Sequence, residues 1–114
     1  QMAIQTVAMR NALVDAYKGQ ATYAALYSTA PGASAGTELT GGSYARKAVS
    51  WGATANSAST ATAIVFDVPS GATVAGFGFH TAVTAGTYLD GGSLTSQAFA
   101  SAGTYTLTPT VTIA

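Results

Sequence analysis

The stretch "TYTLTPTVTI" (residues 104–113) alternates without a break: Tyr105, Leu107, Pro109, Val111 and Ile113 fall on one side of an extended chain and five threonines on the other. A period of two identifies a half-buried β-strand, because successive side chains leave opposite faces of a pleated backbone. Pro109 has no N–H to give to a ladder, so the run predicts an edge strand or a bulge there. A strand with one apolar face needs partners to close a core, and the rest of the chain supplies candidates.

Upstream, short apolar or alternating runs are punctuated by glycine, proline, serine and asparagine. The spacing predicts strands at residues 21–28, 44–51, 63–68 and 74–81, a hairpin pair around Asp90-Gly91-Gly92, and the strand at 104–113. Turns are expected at Pro31-Gly32, Gly41-Gly42, Pro69-Ser70-Gly71 and Ala102-Gly103, with loops at 28–38 and 52–60. In "GFGF" (residues 76–79) two phenylalanines share the core face, and two glycines leave the other face open to close approach by a backbone or ring.

Residues 3–18 hold no glycine or proline and predict the one helix. Met2, Met9, Leu13, Ala16 and Tyr17 gather on one side and Asn11, Asp15 and Lys18 on the other, with Ile4, Val7 and Val14 off the main stripe. Gly19 is placed to end the helix, and Lys18 suits the negative end of its dipole. The reading is therefore a mainly β chain, an antiparallel β-sandwich or flattened barrel with one short N-terminal α-helix. It is expected to form a single domain over residues 1–114, with the sandwich at 21–113.

The surface is polar but almost uncharged: 48% of residues are hydrophobic and only 7% charged, with four cations balancing four carboxylates. Zero net charge argues against a nucleic-acid partner and favours self-association. Without cysteine there are no disulfides or thiolate metal sites. No apolar run is long enough to span a membrane, and no signal peptide is read. Gln1 ahead of Met2 reads as a processing scar.

Chemistry is sought first in "GTELTGGSYARKAVSWG" (residues 36–52). Gly36 and Gly41 have phosphate-loop spacing, but Gly42 stands where that loop needs lysine, so the glycines are read as a turn into a strand. Arg46 and Lys47 point to opposite faces of that strand, which splits any basic patch beside Tyr44 and Trp51. His80 is the sole histidine; Asp90 could reach it across a hairpin, while Asp15, Glu38 and Asp67 have no spacing that pairs them with it. Asp90-Gly91-Gly92 carries one carboxylate, too few for calcium, and reads as a turn. Asp67 is expected on the exposed side of its strand. No catalytic, cofactor-binding or metal-ligating residue is assigned and no cofactor is expected.

The order of these segments resembles a widespread group of small bacteriophage structural proteins labelled tail fibre-like or minor tail proteins. The most specific part is glycine, threonine, acid, small residue, Gly-Gly, then Tyr-Ala-Arg, met here as Glu38, Gly41, Gly42, Tyr44, Ala45 and Arg46. The resemblance covers nearly the whole chain. It implies a non-enzymatic virion component contacting other virion proteins, and repeated copies in a ring or trimer are expected with it. Head decoration by related small β proteins is the alternative placement. A carbohydrate or cell-surface binding module, stacking Trp51 and tyrosines on host glycans, is the competing class, with an enzyme resting on His80 and Asp90 third.

Overall fold

A computed structural model describes residues 4–113. Helix α1 runs Val7–Gln20, four residues later at its start than the sequence predicts; Met2 and Ala3 lie outside the described residues. Thr6 sets the start, its hydroxyl accepting from the Met9 N–H at 3.2 Å. Gly19 does not cap the helix but lies within its last turn; Ala21 closes it by donating to the Tyr17 carbonyl at 2.8 Å. Thr6→Ala should cost about 1 kcal/mol, a fall of roughly 4 °C in Tm by calorimetry, with the far-ultraviolet dichroism otherwise intact.

Eight strands follow: β1 Tyr23–Tyr27, β2 Lys47–Ala48, β3 Ala58–Thr60, β4 Ile64–Val68, β5 Thr73–His80, β6 Tyr88–Ala98, β7 Gly103–Leu107 and β8 Thr110–Thr112. All pairings are antiparallel, in a four-stranded sheet ordered β2-β1-β5-β6 and two-stranded ribbons β3-β8 and β4-β7. The chain is thus mainly β with one helix, as the patterning implies.

The core lies between the large sheet and the β4-β7 ribbon. Ala24 and Leu26 of β1 pair with Phe79 and Phe77 of β5, so the four side chains share one face. Ile64, Phe66 and Val68 of β4 and Leu107 of β7 join the same buried cluster, and the Tyr44 ring stacks on Phe66 at 6.4 Å. In β4 burial alternates strictly, leaving Val65 and Asp67 exposed, so Asp67 sits where its sequence context puts it.

Four local expectations need correction. Residues 104–113 keep their alternation of burial from end to end, yet the hydrogen bonding breaks at Thr108-Pro109: β7 pairs with β4 and β8 with β3. The missing proline N–H permits this change of partner. Residues 44–51 form only a two-residue strand, continued by single bonds from Val49 to Thr22 and Thr62 to Ser50.

The 52–60 segment is not wholly loop. It contains β3, entered by a hairpin in which Ala55 and Ala58 exchange both backbone bonds and Asn56 and Ser57 adopt φ of 49° and 67°. Two positive φ values mark a type I′ turn. Asp90-Gly91-Gly92 is not a turn: it lies inside β6, the longest strand, and the connection from β5 runs instead through residues 81–87, where Ala85 and Gly86 have positive φ.

The glycines of β5 and β6 serve close approach. Gly78 pairs with Gly91, and on this second face of the sheet Pro31 of the 28–38 loop lies against Gly76 and Gly91 while the Tyr27 and Tyr88 rings lie against Gly78. Tyr88 ties the loop down by donating to the Gly32 carbonyl at 2.7 Å.

Candidate functional site

The stretch carrying the family resemblance folds into a polar clamp. Gly41 and Gly42, at φ of 97° and 55°, turn the chain so that Glu38 and Arg46 meet. Arg46 binds both carboxylate oxygens, Nε to Oε2 at 3.0 Å and Nη2 to Oε1 at 2.9 Å. Its Nη1 donates to the carbonyls of Ala82 and Ala85 at 3.1 and 2.8 Å, holding the β5-β6 connection. Tyr44 donates to Glu38 Oε2 at 2.8 Å while accepting from the Leu26 N–H at 3.0 Å. One carboxylate therefore gathers β1, the 41–46 turn and the 81–87 connection around a fork-to-fork ion pair.

Burial pulls the Glu38 carboxyl upward, but the hydrogen bonds from Arg46 and Tyr44 overcome it and hold the group below its ordinary range. His80 lies behind the clamp, 4% exposed, with Nε2 2.5 Å from the Tyr27 hydroxyl. Burial, then the Arg46 charge, lowers its affinity for a proton, and burial raises the Tyr27 phenol to about 12. His80 and Tyr27 are thus a neutral pair, and His80 is a core residue. Its ladder partners are Tyr23 on β1 and Tyr88 on β6, whereas Asp90 pairs with Phe79 and leaves the sheet on the opposite face to accept from the Tyr17 hydroxyl at 2.8 Å. The contact between His80 and Asp90 that sequence proximity suggests does not form.

These two shifts set an acid response. Above about 6.5 the only histidine is neutral folded or unfolded; below it the unfolded chain takes a proton that the folded chain resists, so stability falls as pH falls. Below 4.5 Glu38 adds a second loss, because its folded carboxyl holds its charge to lower pH than the unfolded one. Tm measured from pH 8 to 4 should decline first between about 6.5 and 4.5, before Glu38 contributes, and His80→Gln should flatten that first decline. A wild-type Tm constant across that interval would contradict the assignment.

The remaining candidates, Trp51, Arg46 and Lys47, take separate places in the fold. Trp51 packs edge-on to Tyr17 at 6.1 Å and against Phe79 at 5.5 Å, and its indole donates to the Ala21 carbonyl at 2.9 Å. That ring is half-buried and packed against the core margin. Arg46 is committed to the clamp, while Lys47 sits across from Ala24 in the β1-β2 ladder. Among the described residues no group of histidine and carboxylates could hold a metal ion, and no helix is long and apolar enough to cross a membrane.

The helix is mounted in a way its sequence does not announce. Its polar side faces the protein: Arg10 donates to Ser57 Oγ at 2.7 Å, Asn11 accepts from the Ser57 N–H at 2.8 Å, Asp15 accepts from Thr54 at 2.5 Å, and Lys18 donates to the Gly52 carbonyl at 2.9 Å. Only Val14 is buried, and most of the predicted apolar stripe is turned outward, with Met9 53% and Leu13 39% exposed. The segment under the helix is the polar 52–57 turn, whose backbone and hydroxyl groups need donors and acceptors, so the helix presents them. Tyr17 alone of the stripe packs on the core.

The model of the family described as podophage GP4 fiber I protein gp80 matches residues 4–112, almost the whole chain. No curated protein and no solved structure matches it.

Proposed function

The chain belongs to the podophage GP4 fiber I protein gp80 family, and from that membership we propose that this phage fibre protein is a non-enzymatic, tail-associated component of the virion, present in several copies per particle. The observation that supports the reading is the fate of the marker stretch: Glu38, Tyr44 and Arg46 bind one another and the backbone, so these groups stiffen the molecule. His80, on which the enzyme alternative rests, is enclosed and bonded to Tyr27. Such a domain works by shape and surface, repeated by symmetry.

Mass spectrometry of purified particles should find the protein, and gold-labelled antibody viewed by electron microscopy should mark the tail. Label confined to the head would move it to capsid decoration, the alternative placement. Absence from particles would remove the virion role.

A further inference from the structure

The outward face of α1 is continuous with apolar residues from two strand segments. Met9 and Leu13 are 53% and 39% exposed, and Leu89 of β6 is 36% exposed. Beside them Leu13, Ala16, Tyr17, Gln20, Leu89 and Ile113 line an open recess of about 410 Å³. No charged residue contributes to its lining. A contiguous apolar patch of this kind marks a contact surface.

Its shape says what covers it. The protruding side chain, Met9, and the small floor residue, Ala16, lie on the same helix face seven residues apart, about 10 Å or two turns. Knob and recess thus belong to one patch, displaced along one axis. In a two-fold interface the same patch meets itself and each residue meets its counterpart's partner. Two such helices crossing antiparallel near Leu13 seat each Met9 over the other copy's Ala16, large against small. Antiparallel packing also opposes the two helix dipoles. A charged partner gains nothing from an uncharged lining, whereas a copy of the same neutral chain meets no repulsion.

We propose that this face is the interface of a homodimer, a second copy of the chain being its occupant. The proposal rests on the multi-copy reading above and names the surface that serves it. Formation of the pair leaves the sheet edges and the clamp available for other virion contacts.

The test uses the full chain. Analytical ultracentrifugation over a concentration series should give twice the chain mass, and Met9→Gln/Leu13→Gln should shift the same samples to a single chain mass while the dichroism spectrum stays unchanged. The chain contains no cysteine, so Leu13→Cys provides a clean second readout. Mild oxidation should convert it to a covalent dimer, whereas Val65→Cys, exposed on β4, should stay uncrosslinked. A wild-type chain that is monomeric throughout, a trimer or larger ring, or no Leu13→Cys dimer overturns the proposal. Detection in purified particles is independent of this outcome, so a monomer found in the virion sinks the interface and leaves the proposed function standing.

Discussion

Gly91→Ala should be strongly destabilising, lowering stability by about 4 kcal/mol and Tm by roughly 15 °C. A β-carbon at Gly91 would overlap the carbonyl oxygen of Phe77 and stand 2.7 Å from Pro31 Cγ and 3.0 Å from the Tyr88 hydroxyl. The first obstacle is backbone within the β5-β6 ladder, which cannot turn aside as a flexible side chain would. Relief would require parting the strands or lifting the 28–38 loop, with loss of the bond from Tyr88 to Gly32. Gly19→Ala is the contrast: nothing lies within 4 Å of its β-carbon, and its position is helical. It should raise stability by about 0.5–1 kcal/mol. Urea midpoints of both variants against wild type decide the matter, and a Gly91→Ala midpoint close to wild type would refute the packing described for Pro31.

Arg46→Met should come next, costing about 3 kcal/mol, because it leaves the half-buried Glu38 carboxylate without its fork and releases the carbonyls of Ala82 and Ala85. Glu38→Gln should cost less, since Tyr44 keeps a hydrogen-bond acceptor there. The double variant should lose about 1–2 kcal/mol less than the sum of the singles, the signature of direct coupling. Elastase should also cut Arg46→Met faster within residues 81–87, where the clamp restrains the connection. Additive losses, or unchanged cleavage, would show that Arg46 acts only as a screened surface charge.

The strands β4 and β5 and the alternation of residues 104–113 are legible in the sequence because in each of them side-chain period and burial agree, whereas the helix is legible only in its extent, from its run of helix-forming residues. Where the sequence misleads, one residue type serves two purposes. Asp-Gly-Gly signals a turn because glycine accepts positive φ, but Gly91 and Gly92 stand in extended β6, and at Gly91 the lack of a β-carbon is what counts. Conversely, Asn56-Ser57 adopts the positive φ pair that Asn-Gly would advertise, so β3 hides in a run of small polar residues. The helix misleads for another reason. Amphipathicity assumes an apolar floor beneath the helix, and here the floor is a hydrogen-bonding turn. The clamp was half visible: the opposite facing of Arg46 and Lys47 follows from strand period, but the partner of Arg46 depends on the bend at Gly41-Gly42, which no local pattern specifies.

The division of the last alternating run at Pro109 governs the order in which the molecule can be completed. β7 completes a ribbon with β4, and β8 another with β3, joining Ser59 to Val111 and Ile64 to Leu107. Both ribbons close loops of roughly 40–50 residues, and pairings that distant in sequence form slowly because the chain loses much of its freedom before any contact rewards it. A nascent chain lacking residues 103–112 has the β1-β5-β6 sheet available but an uncovered Phe66 and two unmatched strands. The core is therefore sealed only when that segment has emerged, and until then exposed strand edges are open to neighbouring chains.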